Sequence, residues 1–352
     1  MNHFEKVREI LFEKELDAIL ITGEYNRFYA SGFHSTGGDG MALVTKESNI
    51  YMTDSRYIEA AQNKIPDAEV LLTDQENPYT KLINEQIERF GIKKLGFEDE
   101  TMTVSEFKKY SEKIKAEFFA VSRAFYAKRQ VKDREELDCI VKAQRIAEKA
   151  LEDLLKDGLE GMTEKQVAAK LEYLMRLNGG EGISFDTIVA SGPNGSMPHA
   201  VPTDRVIENG DYVTMDFGSL YNSYHSDMTR TVAVGQVSDE MKKVYDIVLK
   251  AQMAGIEVAK AGATGREVHM AGAKVIEDAG YGKYFGHGVG HGVGIEIHEE
   301  PFENPRNETG MPAGAVVTAE PGIYIPGKFG IRTEDMLFLT ADGNENLTKA
   351  PK

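Results

Sequence analysis

The sequence predicts two domains, an α/β domain over residues 1–127 followed by an α+β domain over residues 128–352. Short apolar runs alternate with amphipathic stretches through the first third, whereas the second part opens with two adjacent helical patterns and then turns β-rich. A charged run from Lys128 to Glu136 lies between them and reads as a linker. At 352 residues the chain exceeds the usual size of one domain and can bury a sizeable core.

In the first domain, Ala18–Thr22, Met41–Val44, Asn49–Met52, Glu69–Leu72 and Leu95–Phe97 read as strands, with a further strand-like run at Phe118–Val121. Between them, Leu82, Ile83, Ile87 and Phe90 recur at helical spacing within Tyr79–Phe90. Gly91 follows, where a residue free to adopt positive φ can end the helix.

The second domain opens with Asp133 and, three residues on, Glu136, a capping-box pattern ahead of an apolar face formed by Leu137, Ile140, Ala143, Ala147, Leu151 and Leu154. Thr163 and Gln166 repeat that start signal for a second helix carrying Val167, Leu171 and Leu174, which stops before Asn178, Gly179 and Gly180. From Ile183 the pattern becomes strand-like at Asp211–Phe217, Met228–Val234, Ala315–Ala319 and Ile331–Leu339, with one more amphipathic stretch at Glu240–Lys260. Helices followed by a β-hairpin occur twice, which points to a pseudo-symmetric domain.

Composition excludes several function classes. Forty-one basic against 57 acidic side chains give a net charge of −16, which opposes binding to nucleic acid or anionic lipid. Residues 1–30 hold no uninterrupted apolar h-region, and no later segment approaches the ~20 apolar residues that span a bilayer. The expectation is a soluble, cytoplasmic protein. Cys139 is the single cysteine, so no intrachain disulfide can form, and any metal would be held by histidines and carboxylates.

The chemistry concentrates in two hairpins. A turn centred on Tyr221 and Asn222 would set Asp216 opposite Asp227, and a turn around Gly327 would set Glu320 opposite Glu334. Aspartate is a poor strand former and like charges directly opposed in a sheet repel, so such pairs need a shared proton or a cation. Four carboxylates in one geometry suit hard or borderline divalent cations, and two metals roughly 3.5–4 Å apart need bridging carboxylates of this kind. Three of the eight histidines, His287, His291 and His298, fall within twelve residues, in a frame with glycine at every second position from Gly286 to Gly294. Such glycines let a backbone approach a site closely. The frame does not fit G-x-G-x-x-G between a strand and a helix, and His298-Glu299-Glu300-Pro301 is not H-E-x-x-H, so neither nucleotide nor zincin chemistry is supported.

Met215-Asp216-Phe217-Gly218, Ser226-Asp227-Met228-Thr229-Arg230-Thr231, Gly290-His291-Gly292-Val293-Gly294, Ala319-Glu320-Pro321-Gly322 and Arg332-Thr333-Glu334-Asp335 stand in the order found in the pita-bread metallopeptidases. The second domain resembles that family throughout. Ser191-Gly192-Pro193-Asn194 ahead of Pro198-His199-Ala200, together with Tyr51-Met52-Thr53-Asp54-Ser55-Arg56-Tyr57, is most similar to its Xaa-Pro branch of aminopeptidase P and prolidase. The resemblance implies a creatinase-like N-terminal domain and a pita-bread catalytic domain. It also implies two divalent metal ions, Mn²⁺ with Co²⁺ or Zn²⁺ as alternatives, held by Asp216, Asp227, His291, Glu320 and Glu334, with Asp227 and Glu334 bridging. The implied substrates are peptides with proline at the second position, and the implied assembly is a homodimer.

The resemblance implies further roles. Glu320 relays the proton of a metal-activated water, His298 stabilises the tetrahedral oxyanion, His199 lies near the leaving nitrogen, and His287 is a further site histidine. Arg332 and Tyr324 are either partners that orient a carboxylate or purely structural. Dipeptidases of the family often carry an arginine after the His-Glu-x-Pro stretch to hold the substrate carboxylate, whereas here Pro301 is followed by Phe302, with Arg306 nearby. This favours an aminopeptidase. A sibling enzyme acting on a non-peptide C–N bond, as creatinase does, and a non-catalytic peptide-binding module are the alternatives; the full ligand set argues against the second.

Overall fold

The computed structural model describes residues 2–36 and 38–352. Two compact units divide at Arg129/Gln130.

In the first unit, Ala18–Ile21 is a fully buried apolar strand near the middle of a six-stranded sheet. It pairs antiparallel with Gly40–Thr45 on one side and parallel with Lys94–Phe97 on the other; Asn49–Thr53, Glu69–Leu72 and Glu117–Ala120 complete the sheet. Helix Tyr79–Phe90 lays Leu82, Ile83 and Ile87 onto the core with Leu20, Leu43 and Leu95, and ends at Gly91 with φ +63°.

The charged run beginning at Lys128 is not an open linker. Ser122–Gln130 is helical and the next helix starts at Arg134, so the expected 127/128 boundary falls inside a helix. The first two charges of that run are partnered within the first unit. Lys128 Nζ lies 2.7 Å from carboxylate oxygens of both Glu9 and Glu13, and Arg129 donates to Asn26 Oδ1 at 3.0 Å.

In the second unit, helices Arg134–Lys156 and Glu164–Leu177 start with the two anticipated capping boxes, Asp133 with Glu136 and Thr163 with Gln166. Ala147, Leu151, Val167 and Leu171 pack with Val213, Met215 and Phe217 of strand Tyr212–Phe217 in one apolar cluster. A second helix pair follows, Asp239–Val258 and Gly265–Asp278, and the first of these packs Val244 and Val248 against Ile323 and Ile331. Helix Gly265–Asp278 was not anticipated, although Thr264 and Glu267 form a capping box at its start.

The first hairpin folds two residues out of the expected register. Its turn lies at Asn222 and Ser223, both left-handed at φ 46° and 65°, so Asp216 faces Thr229 instead of Asp227. A slip of two preserves the pleat, so both aspartates stay on the same side. The second hairpin keeps its register, since Ala319 faces Asp335 and Gly322 faces Arg332, which brackets Glu320 and Glu334 as opposed residues. Its turn uses Gly327 at φ +72°. The expected single strand Ile331–Leu339 is two, Phe329–Arg332 and Asp335–Leu339, in different sheets, with Thr333 and Glu334 at the crossing.

Strand Gly290–Gly292 lies between Glu299–Glu303 and Val316–Ala319. A Cβ at Gly290 would sit 2.1 Å from the Thr318 carbonyl oxygen, so only glycine allows the approach that seats His291 among the carboxylates.

Candidate metal centre

Each carboxylate of interest sits where a strand begins, ends or bends. Asp216 is in strand Tyr212–Phe217, Asp227 just precedes Met228–Ala233, Glu320 follows Val316–Ala319, and Glu334 precedes Asp335–Leu339. Thr229, which takes the place opposite Asp216, joins the hairpins. Its hydroxyl donates to Glu334 Oε2 at 2.8 Å and accepts from Arg332 Nε at 3.1 Å, while the Glu334 amide donates to the Thr229 carbonyl at 3.2 Å.

Arg332 is buried and fully engaged. Nη2 donates to Asp216 Oδ2 at 2.6 Å, and Nη1 donates to the Tyr324 hydroxyl at 2.9 Å and to the Pro198 carbonyl at 3.2 Å. His287 Nδ1 lies 2.7 Å from the Gly288 carbonyl, which can only accept, so the proton is on Nδ1 and Nε2 accepts from Tyr324 at 3.0 Å. Burial pushes His287 down to about 4, which keeps the ring neutral. The result is a chain in which Arg332 donates to Asp216 on one side and, through the Tyr324 hydroxyl, to His287 on the other.

His291 obeys the same rule. Its Nδ1 donates to the Gly292 carbonyl at 3.1 Å, which turns Nε2 toward the carboxylates, 3.5 Å from both Asp227 Oδ2 and Glu320 Oε1. Asp227, His291 and Glu334 each offer a ligand atom within 4.8 Å of the others. Asp216 Oδ1 and Glu334 Oε1 are buried with no hydrogen-bond partner. Converging acceptors without donors repel one another, and a divalent cation satisfies them all at once. Burial, then the neighbouring carboxylates, push Asp227 and Glu334 well above the ordinary carboxylate range, and burial raises Glu320 against the opposing pull of His291 and Arg332. Four carboxylates face a single guanidinium, so the cluster needs protons or cations.

These groups lie in a cavity of about 760 Å³ that also takes in His199, His287, His298, Tyr324, Phe302 and Arg306. All the candidate site residues of the sequence therefore share one cavity. The rings of His291 and His298 are 4.3 Å apart. Burial and the neighbouring His291 lower His298 to about 4. Phe185, Ile188, Val201 and Ile297 add apolar wall. Sequence reasoning missed Thr229, although it lies inside the Ser226–Thr231 motif. It also missed Glu303, a fully buried carboxyl with no hydrogen-bond partner on either oxygen.

Comparison with known proteins adds an independent line. The profile of "Metallopeptidase family M24" matches residues 138–341, and that of "Creatinase/Prolidase N-terminal domain" matches residues 4–131. A Pyrococcus furiosus protein described as Xaa-Pro dipeptidase is 38% identical over 350 residues, covering 99% of this chain and 98% of its own. Among solved structures, an Xaa-Pro dipeptidase from Bacillus anthracis superposes with a TM-score of 0.93 at 42% identity, covering 99% of this chain and 97% of its own. An X-Pro aminopeptidase from Thermotoga maritima gives 0.93 at 38% identity, covering 100% and 98%.

Proposed function

The chain belongs to metallopeptidase family M24, and from that premise we propose that it is a dinuclear-metal exopeptidase cleaving the bond between an N-terminal residue and a following proline. The observation that carries this reading is the convergence of His291 Nε2 with carboxylate oxygens of Asp227 and Glu320, together with the buried and unpartnered Asp216 Oδ1 and Glu334 Oε1, in one substrate-sized cavity. Asp216, Asp227, His291, Glu320 and Glu334 are the residues that would hold the ions, Asp227 and Glu334 being the pair the family resemblance implies as shared, with Mn²⁺ as the preferred ion; Co²⁺ and Zn²⁺ are compatible with the same donors. When bound, two such ions supply an acidified water and an electrophile for the scissile carbonyl.

The remaining steps fall to the chain's own groups. Glu320 takes the proton of the attacking water and carries it toward the leaving imino nitrogen. His298, neutral at pH 7, donates one N–H to the oxygen that gains charge. His199 stands on the cavity wall near the leaving residue, and the chain from His287 through Tyr324 and Arg332 fixes the orientation of Asp216. Proline selectivity follows from the imide nitrogen, which has no N–H; a site that does not demand that donor processes bonds that general aminopeptidases handle poorly. Similarity to both dipeptidases and an aminopeptidase, with Phe302 where a carboxylate-binding arginine would restrict length, supports a site that admits Xaa-Pro dipeptides and longer peptides.

We also place the protein in the cytoplasm as a homodimer. The lone buried Cys139 and, among the described residues, the lack of any helix long and apolar enough to cross a membrane support the location, while the dimer rests on family resemblance. Incubating the Mn²⁺-loaded protein with Ala-Pro, Ala-Pro-Ala, Ala-Ala and creatine tests the activity. Release of alanine from the proline peptides alone is expected; turnover of creatine without cleavage of Ala-Pro would redirect the assignment to the sibling chemistry.

A further inference from the structure

The turn that separates His291 from His298 is braced from behind by a buried ion pair outside the metal centre. Lys132 Nζ lies 2.6 Å from Glu299 Oε1, with side-chain exposures of 1% and 7%. Lys132 is itself fixed, since its amide donates to the Gly314 carbonyl at 2.9 Å and the Gly314 amide donates to Leu339 at 2.8 Å, at the end of strand Asp335–Leu339. Glu299 Oε1 occupies the space beneath Gly294, where a Cβ would approach it to 2.3 Å, and the Gly294 carbonyl accepts from the His225 amide at 2.9 Å. The next residue, Glu300, accepts from Gln130 Nε2 at 2.9 Å. Both residues after His298 are thus held by the short segment 130–132.

A buried ion pair is a poor source of net stability, because desolvating two charges consumes most of their attraction; what it does supply is a fixed geometry. Here that geometry is the placement of one turn whose ends carry His291 and His298, with rings 4.3 Å apart. We propose that Lys132 and Glu299 are positioning residues that set the location of His298 over the reaction centre. Neither lines the cavity, so neither touches substrate. The inference rests on the oxyanion role proposed for His298.

The test is a double-mutant cycle in the Mn²⁺-loaded protein on an Xaa-Pro dipeptide, with metal content measured for every variant. Lys132→Met is expected to lower kcat roughly 10- to 100-fold, the range for outer partners of site residues, with KM within about threefold and bound metal unchanged. In a His298→Ala background the same change should cost less than about twofold, because the group it positions is gone. If the two losses multiply, Lys132 does not act through His298 and the proposal is overturned. If His298→Ala alone leaves kcat unchanged, the role of His298 fails and the positioning proposal fails with it. Should Lys132→Met not fold, Glu299→Gln takes its place; it keeps an acceptor for the ammonium and should show a smaller loss with the same non-additivity.

Discussion

Replacing Arg332 by methionine keeps much of the side-chain length but removes a guanidinium that is only 4% exposed and bonded to Asp216, Tyr324, Thr229 and Pro198. Asp216 Oδ2 then loses its donor while its other oxygen is already unpartnered, so a largely enclosed carboxylate stands beside Asp227 and Glu320 without its guanidinium partner. Breaking one side of a buried pair costs about 3–5 kcal/mol. For a cooperative unit the size of Gln130–Lys352, each kcal/mol lowers Tm by about 2–4 °C, so the metal-free variant should melt roughly 6–20 °C below the parent. Excess Mn²⁺ should narrow that gap, because bound cations supply the missing positive charge. Mn²⁺ affinity itself should fall about 10- to 100-fold, since Asp216 is no longer oriented. Arg332→Lys keeps the charge but cannot reach three partners at once, and should fall between the two. Thermal unfolding with and without Mn²⁺, together with a Mn²⁺ titration, reads all of this. A methionine variant within about 1 °C of the parent and unchanged in metal affinity would refute the orienting role.

Glu303 gives a pH signature of opposite origin, because burial pushes it up to about 8 and it has no partner. Its folded value lies above the unfolded one near 4.3, so the folded state keeps a proton that the unfolded chain releases. Stability is therefore undiminished below about pH 4 and falls as pH rises toward 8, by at most about 1.4 kcal/mol per unit. Glu303→Leu should be stabilised relative to the parent by more at pH 8 than at pH 5 in denaturant unfolding, and parallel curves would contradict this. Phe302, 39% exposed on the cavity wall, should become a carboxylate anchor in Phe302→Arg, raising the dipeptide-to-tripeptide ratio of kcat/KM by about tenfold. An unchanged ratio would show that this wall does not read peptide length.

Much of the candidate site was legible because its residues conflict with their local roles. Carboxylates within or beside otherwise apolar strands and glycines alternating with histidines break the rules of a stable sheet, and such breaks concentrate where function resides. The second hairpin was read in register because Gly327 marks its turn. The first was not, because Ser223 adopts a left-handed conformation that its identity does not announce, and the two-residue slip gave Thr229 the central place that opposition of Asp216 and Asp227 would have denied it. The break at Thr333 and Glu334 was hidden because the surrounding strands are both apolar, and nothing local tells that they belong to different sheets. Helix Gly265–Asp278 was hidden by Gly265, Gly272 and its polar residues, which weaken the apolar periodicity that tertiary packing then makes unnecessary. The helix through Lys128 was hidden because that charge meets Glu9 and Glu13, partners more than a hundred residues away that no local window contains.

The most direct test of the dinuclear reading is to strip the protein of metal and titrate it with Mn²⁺ while following cleavage of an Xaa-Pro dipeptide, in the parent chain and in Asp227→Asn. Activity in the parent should rise from background to a plateau at two ions per chain, and the variant, lacking one bridging carboxylate, should stay at least about 100-fold lower at every ratio. A plateau at one ion, full activity in the stripped protein, or parent-like turnover in Asp227→Asn would contradict it.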